Sequence, residues 1–112
     1  EGLSVPLPNQ KIGIAKNIRT VEWLKAELVS GTGELMRGLV RGAEDKILDS
    51  LAGIVVTAYI LAERLGIGFA TLDAKIASKV KANIEQSHEI EEWFGDFSAL
   101  ARYSEEIRGD NR

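Results

Sequence analysis

The chain has 112 residues, of which 45% are hydrophobic and 28% are charged, which is typical of a globular domain with one core. The net charge of -3 gives no electrostatic reason to expect a nucleic-acid partner. The absence of cysteine excludes disulfides, thiol catalysis and cysteine-ligated zinc. The first ten residues lack the apolar segment of a secretory signal, so we expect a cytoplasmic protein.

Both prolines lie near the start of the chain, and their positions suggest two regions. Pro6 and Pro8 disfavour a helix, so residues 1–11 are predicted to form an extended or disordered tail. Residues 12–112 contain no proline and are rich in Ala, Leu, Ile, Glu and Lys. This composition predicts one all-helical domain over residues 12–112.

The first two predicted helices span residues 17–41 and 43–65. Gly42 and Gly66 follow their last periodic residues, where glycine commonly ends a helix. Glu44 and Asp45 open the second helix, at the positive end of its dipole.

The remaining sequence predicts shorter helices. The third begins near Thr71 and runs at least to Ser87, and a fourth segment begins near Ile90. Gly95 and Asp96 are expected to break that segment, with Asp96 capping a final helix over residues 97–107. The fold class is therefore all-α, a bundle of four to five helices.

The run Ser50–Ala62 in the second helix carries no charge. Its thirteen residues are too few to span a bilayer, so no membrane partner is expected. The run instead predicts a helix that is buried on nearly all sides. In so small a protein, this favours a homo-oligomer, because a partner chain would have to cover part of the helix.

Glycines cluster in "ELVSGTGELMRG", residues 27–38, within the first helix. The stretch lacks the lysine of a Walker loop, and it lacks the third glycine and the preceding strand of a dinucleotide-binding loop. Gly31 and Gly38 share a helix face with Leu24, Leu28 and Leu35. Close packing against another backbone is the better interpretation.

Four carboxylates have a spacing that could serve a metal. Glu27 and Glu34 lie two turns apart on the first helix, and Asp45 and Asp49 lie one turn apart on the second. If these helices pack antiparallel, the carboxylates could face each other and bind magnesium, which prefers oxygen ligands. The competing interpretation is a solvated helix surface, which the spacing alone favours.

His88 is the only histidine, and Glu92 follows it by one helical turn. The pair could supply two metal ligands. However, HEIEE does not match the H-E-x-x-H motif of zinc proteases, and the chain has no second histidine. A structural or capping role for His88 is therefore favoured.

Three stretches together resemble the MazG-like group of all-alpha nucleoside triphosphate pyrophosphohydrolases. They are "WLKAELVSGTGELMRGL" (23–39), "DSLAGIVVTAYILAERLGI" (49–67) and "KIASKVKAN" (75–83). The tail "HEIEEWFGDFSALARY" (88–103) resembles that of a divergent bacterial branch. The resemblance implies a helical bundle that assembles as a dimer or tetramer.

Active members of that group hold magnesium with E-x-x-E on one helix and E-x-x-D on the next. Alignment of the motifs places these ligands at Gly31, Glu34, Ser50 and Gly53, so that Glu34 alone keeps its carboxylate. Asp49 matches an acidic residue that often precedes the second pair. One carboxylate with water holds magnesium poorly. An intact site at these positions is therefore not expected.

The resemblance further implies that Lys79 and Asn83 contact nucleotide. Two functions follow. The first is a catalytically degenerate protein that acts as an oligomeric interaction or nucleotide-sensing module. The alternative is a magnesium-dependent nucleoside triphosphate pyrophosphohydrolase with a shifted site, in which Lys79 steadies the phosphates. Its metal ligands would be Glu34, Asp49, Glu27 and Asp45. In a third variant, His88, Glu89 and Glu92 supply replacement ligands.

Overall fold

The computed structural model describes the backbone of residues 8–110 and the side chains of residues 12–109. The described backbone forms five helices and no strand. The helices are α1 (Pro8–Arg41), α2 (Glu44–Arg64), α3 (Phe69–Glu85), α4 (Glu89–Phe94) and α5 (Asp96–Asp110). The predicted all-α fold with four to five helices is confirmed. No helix in the described part of the chain is long and apolar enough to cross a membrane.

Helix α1 begins nine residues earlier than the predicted start at residue 17. It starts at Pro8, so residues 8–11 are helical and not extended as predicted. Proline is tolerated at the first helical position, because the N–H that it lacks would have no partner within the helix. The prediction of an extended or disordered segment for residues 1–7 lies outside the described residues.

The turn between α1 and α2 is closed by backbone hydrogen bonds. Gly42 adopts a left-handed conformation with a φ of 65°, as its predicted role at the helix end requires. The Ala43 N–H donates to the Gly38 carbonyl at 3.0 Å. Gly66 (φ 81°) ends α2 in a similar way, and the Ile67 N–H donates to the Ala62 carbonyl at 2.9 Å.

Helices α1 and α2 pack antiparallel, and polar side chains tie the start of α1 to the end of α2. The Asn17 side-chain amide donates to the Arg64 carbonyl at 3.1 Å, and Arg64 Nη1 donates to Asn17 Oδ1 at 3.2 Å. The Asn17 amide thereby serves a carbonyl that the end of α2 leaves without a helical partner.

The buried core of this pair is small. Leu24 and Ala62 are the buried apolar side chains among the described residues, and Ser50 is buried with them. The prediction that α2 is buried on nearly all sides is wrong for the single chain, because Val55 and Val56 remain 54% and 60% exposed. Helix α1 covers only one side of α2.

The chain divides into two compact units, Glu1–Phe69 and Ala70–Arg112. The expectation of one domain over residues 12–112 stays a prediction.

In the second unit, α3 ends at Glu85, two residues before its predicted end. Gly95 is left-handed with a φ of 68° and separates α4 from α5, so the predicted break is confirmed. The prediction that Asp96 caps the final helix is wrong, because Asp96 is itself the first residue of α5 and the Ala99 N–H already donates to the Gly95 carbonyl.

Candidate functional site

Glu34 in α1 is held by two cations. Its Oε1 accepts a hydrogen bond from Arg37, one turn further along α1. Its Oε2 lies 2.5 Å from the Nζ of Lys46, which comes from the first turn of α2. The three side chains are between 38% and 55% exposed, so this cluster lies at the edge of the α1–α2 contact and borders solvent.

These contacts set the ionisation of Glu34. The hydrogen bond from Lys46, followed by that from Arg37, lowers the pKa of the Glu34 carboxyl from its ordinary value of 4.5 to about 2. Both hydrogen bonds favour the charged form of the carboxyl. Glu34 is therefore an ionised carboxylate, with its charge matched from within the chain.

The other three predicted metal ligands of the shifted site are exposed. Glu27 lies on α1, whereas Asp45 and Asp49 lie on α2. The described residues contain no group of three or more histidine, aspartate or glutamate side chains placed to hold a metal ion. These three carboxylates thus do not join Glu34 in such a group, and their role as ligands stays a prediction.

The remaining positions at which the resemblance implies metal ligands have no carboxylate. A Cβ at Gly31 would lie 3.3 Å from Ile54 Cγ1, tighter than most such contacts, so α2 packs closely against this glycine. Ser50 is buried, and a Cβ at Gly53 would have open space around it. Magnesium needs several oxygen ligands, so the donor set at these positions does not fit it.

Gly38 is a second point at which α1 and α2 pack closely. A Cβ there would lie 3.3 Å from Ile47 Cγ1 and 3.4 Å from both the Ile47 nitrogen and Lys46 Cγ. The prediction that Gly31 and Gly38 allow close packing is therefore confirmed. The small residue at 38 also leaves room for the aliphatic part of Lys46 beside α1.

The predicted nucleotide contacts lie one turn apart on α3. The Asn83 side-chain amide donates to the Lys79 carbonyl at 2.9 Å, a contact within the helix. The Lys79 side chain is exposed. Their role in binding nucleotide stays a prediction.

His88 caps α4, in agreement with the favoured interpretation. Its Nδ1 accepts a hydrogen bond from the Ile90 N–H at 3.1 Å. Its ring packs edge to face against the Phe97 ring, with the ring centroids 5.5 Å apart. The capping bond occupies Nδ1, which leaves Nε2 as the ring nitrogen for any other role. Glu89 and Glu92 lie in the first turn of α4 and are exposed, and their metal role with His88 stays a prediction.

Sequence reasoning missed two functions of charged residues. Glu91 caps α5: its Oε1 accepts from the Ser98 N–H at 3.0 Å, and its Oε2 accepts from the Ser98 hydroxyl. These bonds from the Ser98 side chain and backbone lower the pKa of Glu91.

The second missed function is the ion pair of Lys46 with Glu34. The spacing of Glu34 and Arg37 could have indicated their pairing, but no local pattern links Glu34 to Lys46.

Comparison with known protein families gives a match to a family model. The family model of the MazG-like family matches residues 14–97, which include α2, α3, α4 and most of α1. No curated protein and no solved structure matches the chain. The matched region includes Glu34 and its two cationic partners as well as the glycines of the α1–α2 contact. The chain belongs to the MazG-like family.

Proposed function

We propose that this MazG-like protein is a catalytically degenerate member of its family that acts in the cytoplasm as an oligomeric interaction or nucleotide-sensing module. The observation that carries the proposal is the state of Glu34. It is the one carboxylate at the four aligned positions, and Lys46 and Arg37 engage both of its oxygens. A carboxylate in this state is poorly prepared to hold magnesium against a triphosphate.

The exposed side of α2 supports the oligomeric part of the proposal. Leu51, Val55 and Val56 are 46%, 54% and 60% exposed, and all belong to the uncharged run of this helix. Exposed apolar surface of this kind is typical of a protein interaction site. A second copy of the chain, in a dimer or tetramer, is the partner that we propose.

Analytical ultracentrifugation tests this assembly. The full chain is expected to sediment as a dimer or tetramer, and Val55→Asp is expected to shift it toward the monomer, because a charge on this surface would be buried in the assembly. Val29→Asp is a matched control, since Val29 on α1 is 76% exposed. A wild-type chain that stays monomeric would contradict the proposed assembly.

The nucleotide-sensing part relies on Lys79 and Asn83, for which the resemblance implies contacts with nucleotide. A thermal-shift screen of nucleoside triphosphates, with and without magnesium or manganese, tests it. Stabilisation without hydrolysis, reduced in Lys79→Ala but not in Lys25→Ala, would support sensing. If no nucleotide stabilises the chain, the interaction role alone remains.

The same samples test the alternative enzyme activity. A shifted magnesium site would require Glu34 to exchange Lys46 and Arg37 for the metal. Release of monophosphate and pyrophosphate with magnesium, abolished by Glu34→Gln, would overturn the degenerate interpretation and support the pyrophosphohydrolase.

A further inference from the structure

The partner of Glu34 on α2 is positioned by the packing of the two helices. Lys46 reaches Glu34 from the first turn of α2, and the two residues are separated along the chain by the turn at Gly42. Lys46 Cγ lies 3.4 Å from the place that a Cβ of Gly38 would take. The aliphatic part of Lys46 therefore lies along α1, and its ammonium group reaches Oε2 of Glu34.

The charges of this cluster differ from those of a metal site. Lys46 and Arg37 bring two positive charges to the single negative charge of Glu34, so the carboxylate needs no further cation. Magnesium binds oxygen at about 2.0–2.1 Å. An ion that close to Oε2 would lie beside the Lys46 ammonium, and the two like charges would repel.

We propose that Lys46 permanently supplies, from within the chain, the positive charge that a divalent cation would otherwise supply at Glu34. Lys46 is thus a positioning residue that joins α2 to α1, and Glu34 is its anchor and not a metal ligand. The α1–α2 pair is stable without a divalent cation. Any phosphate-bearing ligand at this place binds without a metal on Glu34. The inference concerns the cluster alone and holds whether or not the protein senses nucleotide.

Reversal of the charge at position 46 provides the test. Lys46→Glu places a second carboxylate next to Glu34. Arg37 balances only one of the two negative charges, so the pair should attract a further cation. Thermal unfolding of the full chain is followed by circular dichroism in EDTA and in manganese chloride, and bound Mn²⁺ is measured by loss of the free-ion signal in electron paramagnetic resonance. We expect the wild type to unfold at the same temperature in both solutions and to leave the Mn²⁺ signal unchanged.

Lys46→Glu is expected to unfold several degrees lower in EDTA, to recover in manganese and to reduce the free Mn²⁺ signal. The response to manganese should disappear in Lys46→Glu combined with Glu34→Gln. Lys25→Glu is the matched control, because it places a new carboxylate beside Glu22 on the exposed surface of α1. It should show no response to manganese.

Two results would overturn the proposal. In the first, wild-type chain takes up Mn²⁺ and loses this ability in Glu34→Gln, so that Glu34 binds metal alongside Lys46. In the second, Lys46→Glu neither loses stability nor responds to manganese. If Lys46→Glu does not fold, Lys46→Met replaces it. Lys46→Met must then unfold at a lower temperature than Lys25→Met in EDTA, or the proposal fails.

Discussion

The α1–α2 pair and the α4–α5 pair each contain a glutamate whose two carboxylate oxygens are both engaged. In the first pair, Glu34 binds the side chains of Arg37 and Lys46. In the second, Glu91 accepts from the backbone and hydroxyl of Ser98 at the start of α5. The contacts lower the pKa of both carboxyls. The hydrogen-bond partners are charged for Glu34 and neutral for Glu91, where the charge of Arg102 makes only the smallest contribution.

The difference shows that a lowered pKa does not by itself identify a functional carboxylate. Glu91 accepts from the Ser98 N–H, one of the groups that the start of a helix leaves without a helical partner, which is a structural role. Glu34 occupies a position at which the family resemblance implies a metal ligand, and its partner Lys46 comes from another helix. The identity of the partners separates the two roles: Glu91 caps one helix, whereas Glu34 anchors an ion pair between two helices.

The largest expected effect comes from disrupting the close contact of α1 with α2. Gly38→Leu would force a side chain against Ile47 and Lys46, and we expect it to lower the free energy of unfolding by about 1–3 kcal/mol. Gly13→Leu is the matched control on the same helix, because a Cβ at Gly13 has no neighbour within 4 Å. Urea denaturation measures both. Equal stability of the two variants would show that the contact tolerates a side chain.

A smaller effect is expected at the break between α4 and α5. Gly95 is left-handed with a φ of 68°, a conformation that costs a residue with a Cβ about 1 kcal/mol. Gly95→Ala should therefore lower the urea midpoint. Gly109→Ala should not, because Gly109 lies within α5 and a Cβ there has open space. If Gly95→Ala is as stable as the wild type, the break does not depend on this conformation.

The stability that Glu34 contributes should be lost in acid. The folded pKa of Glu34 is about 2 and its ordinary value is 4.5, so its ion pairs stabilise the fold above pH 4.5. This stability is lost as the pH falls from 4.5 through about 2. The difference in urea midpoint between wild type and Glu34→Gln should therefore narrow over that range.

Glu91 should respond to acid in the same direction as Glu34, and added salt should then distinguish the two glutamates. For Glu91→Gln, the difference from wild type should also narrow below the ordinary value of 4.5, because the folded pKa is lowered. Salt should weaken the contribution of Glu34 more than that of Glu91, since its partners are charged. Equal salt responses would contradict the distinction between the two sites.

The smallest effect is expected for an ion pair that lies outside both contacts. Lys25 Nζ lies 2.6 Å from Glu22 Oε2, but both side chains are more than 60% exposed. Lys25→Met should therefore change the free energy of unfolding by less than about 0.5 kcal/mol. If Lys25→Met lowers the free energy of unfolding as much as Lys46→Met does, the ion pairs of the Glu34 cluster stabilise the fold no more than this exposed pair.

The sequence predicted much of the fold because the signals are local. Gly42 and Gly66 mark the ends of helices through their backbone conformation, which depends on adjacent residues. His88 was expected to act as a cap and does so. The predicted start of α1 at residue 17 is wrong, because proline can begin a helix and Pro8 does so here.

Sequence alone determined the all-α class, the breaks between helices, the absence of a carboxylate at Gly31 and Gly53, and the small residues of the α1–α2 contact. Tertiary structure decided which charges meet. Lys46 reaches Glu34 because the turn at Gly42 folds α2 back along α1, and Gly38 lets its side chain lie against that helix. Helical periodicity places residues on a face of one helix, but the register between two helices depends on packing along their whole length.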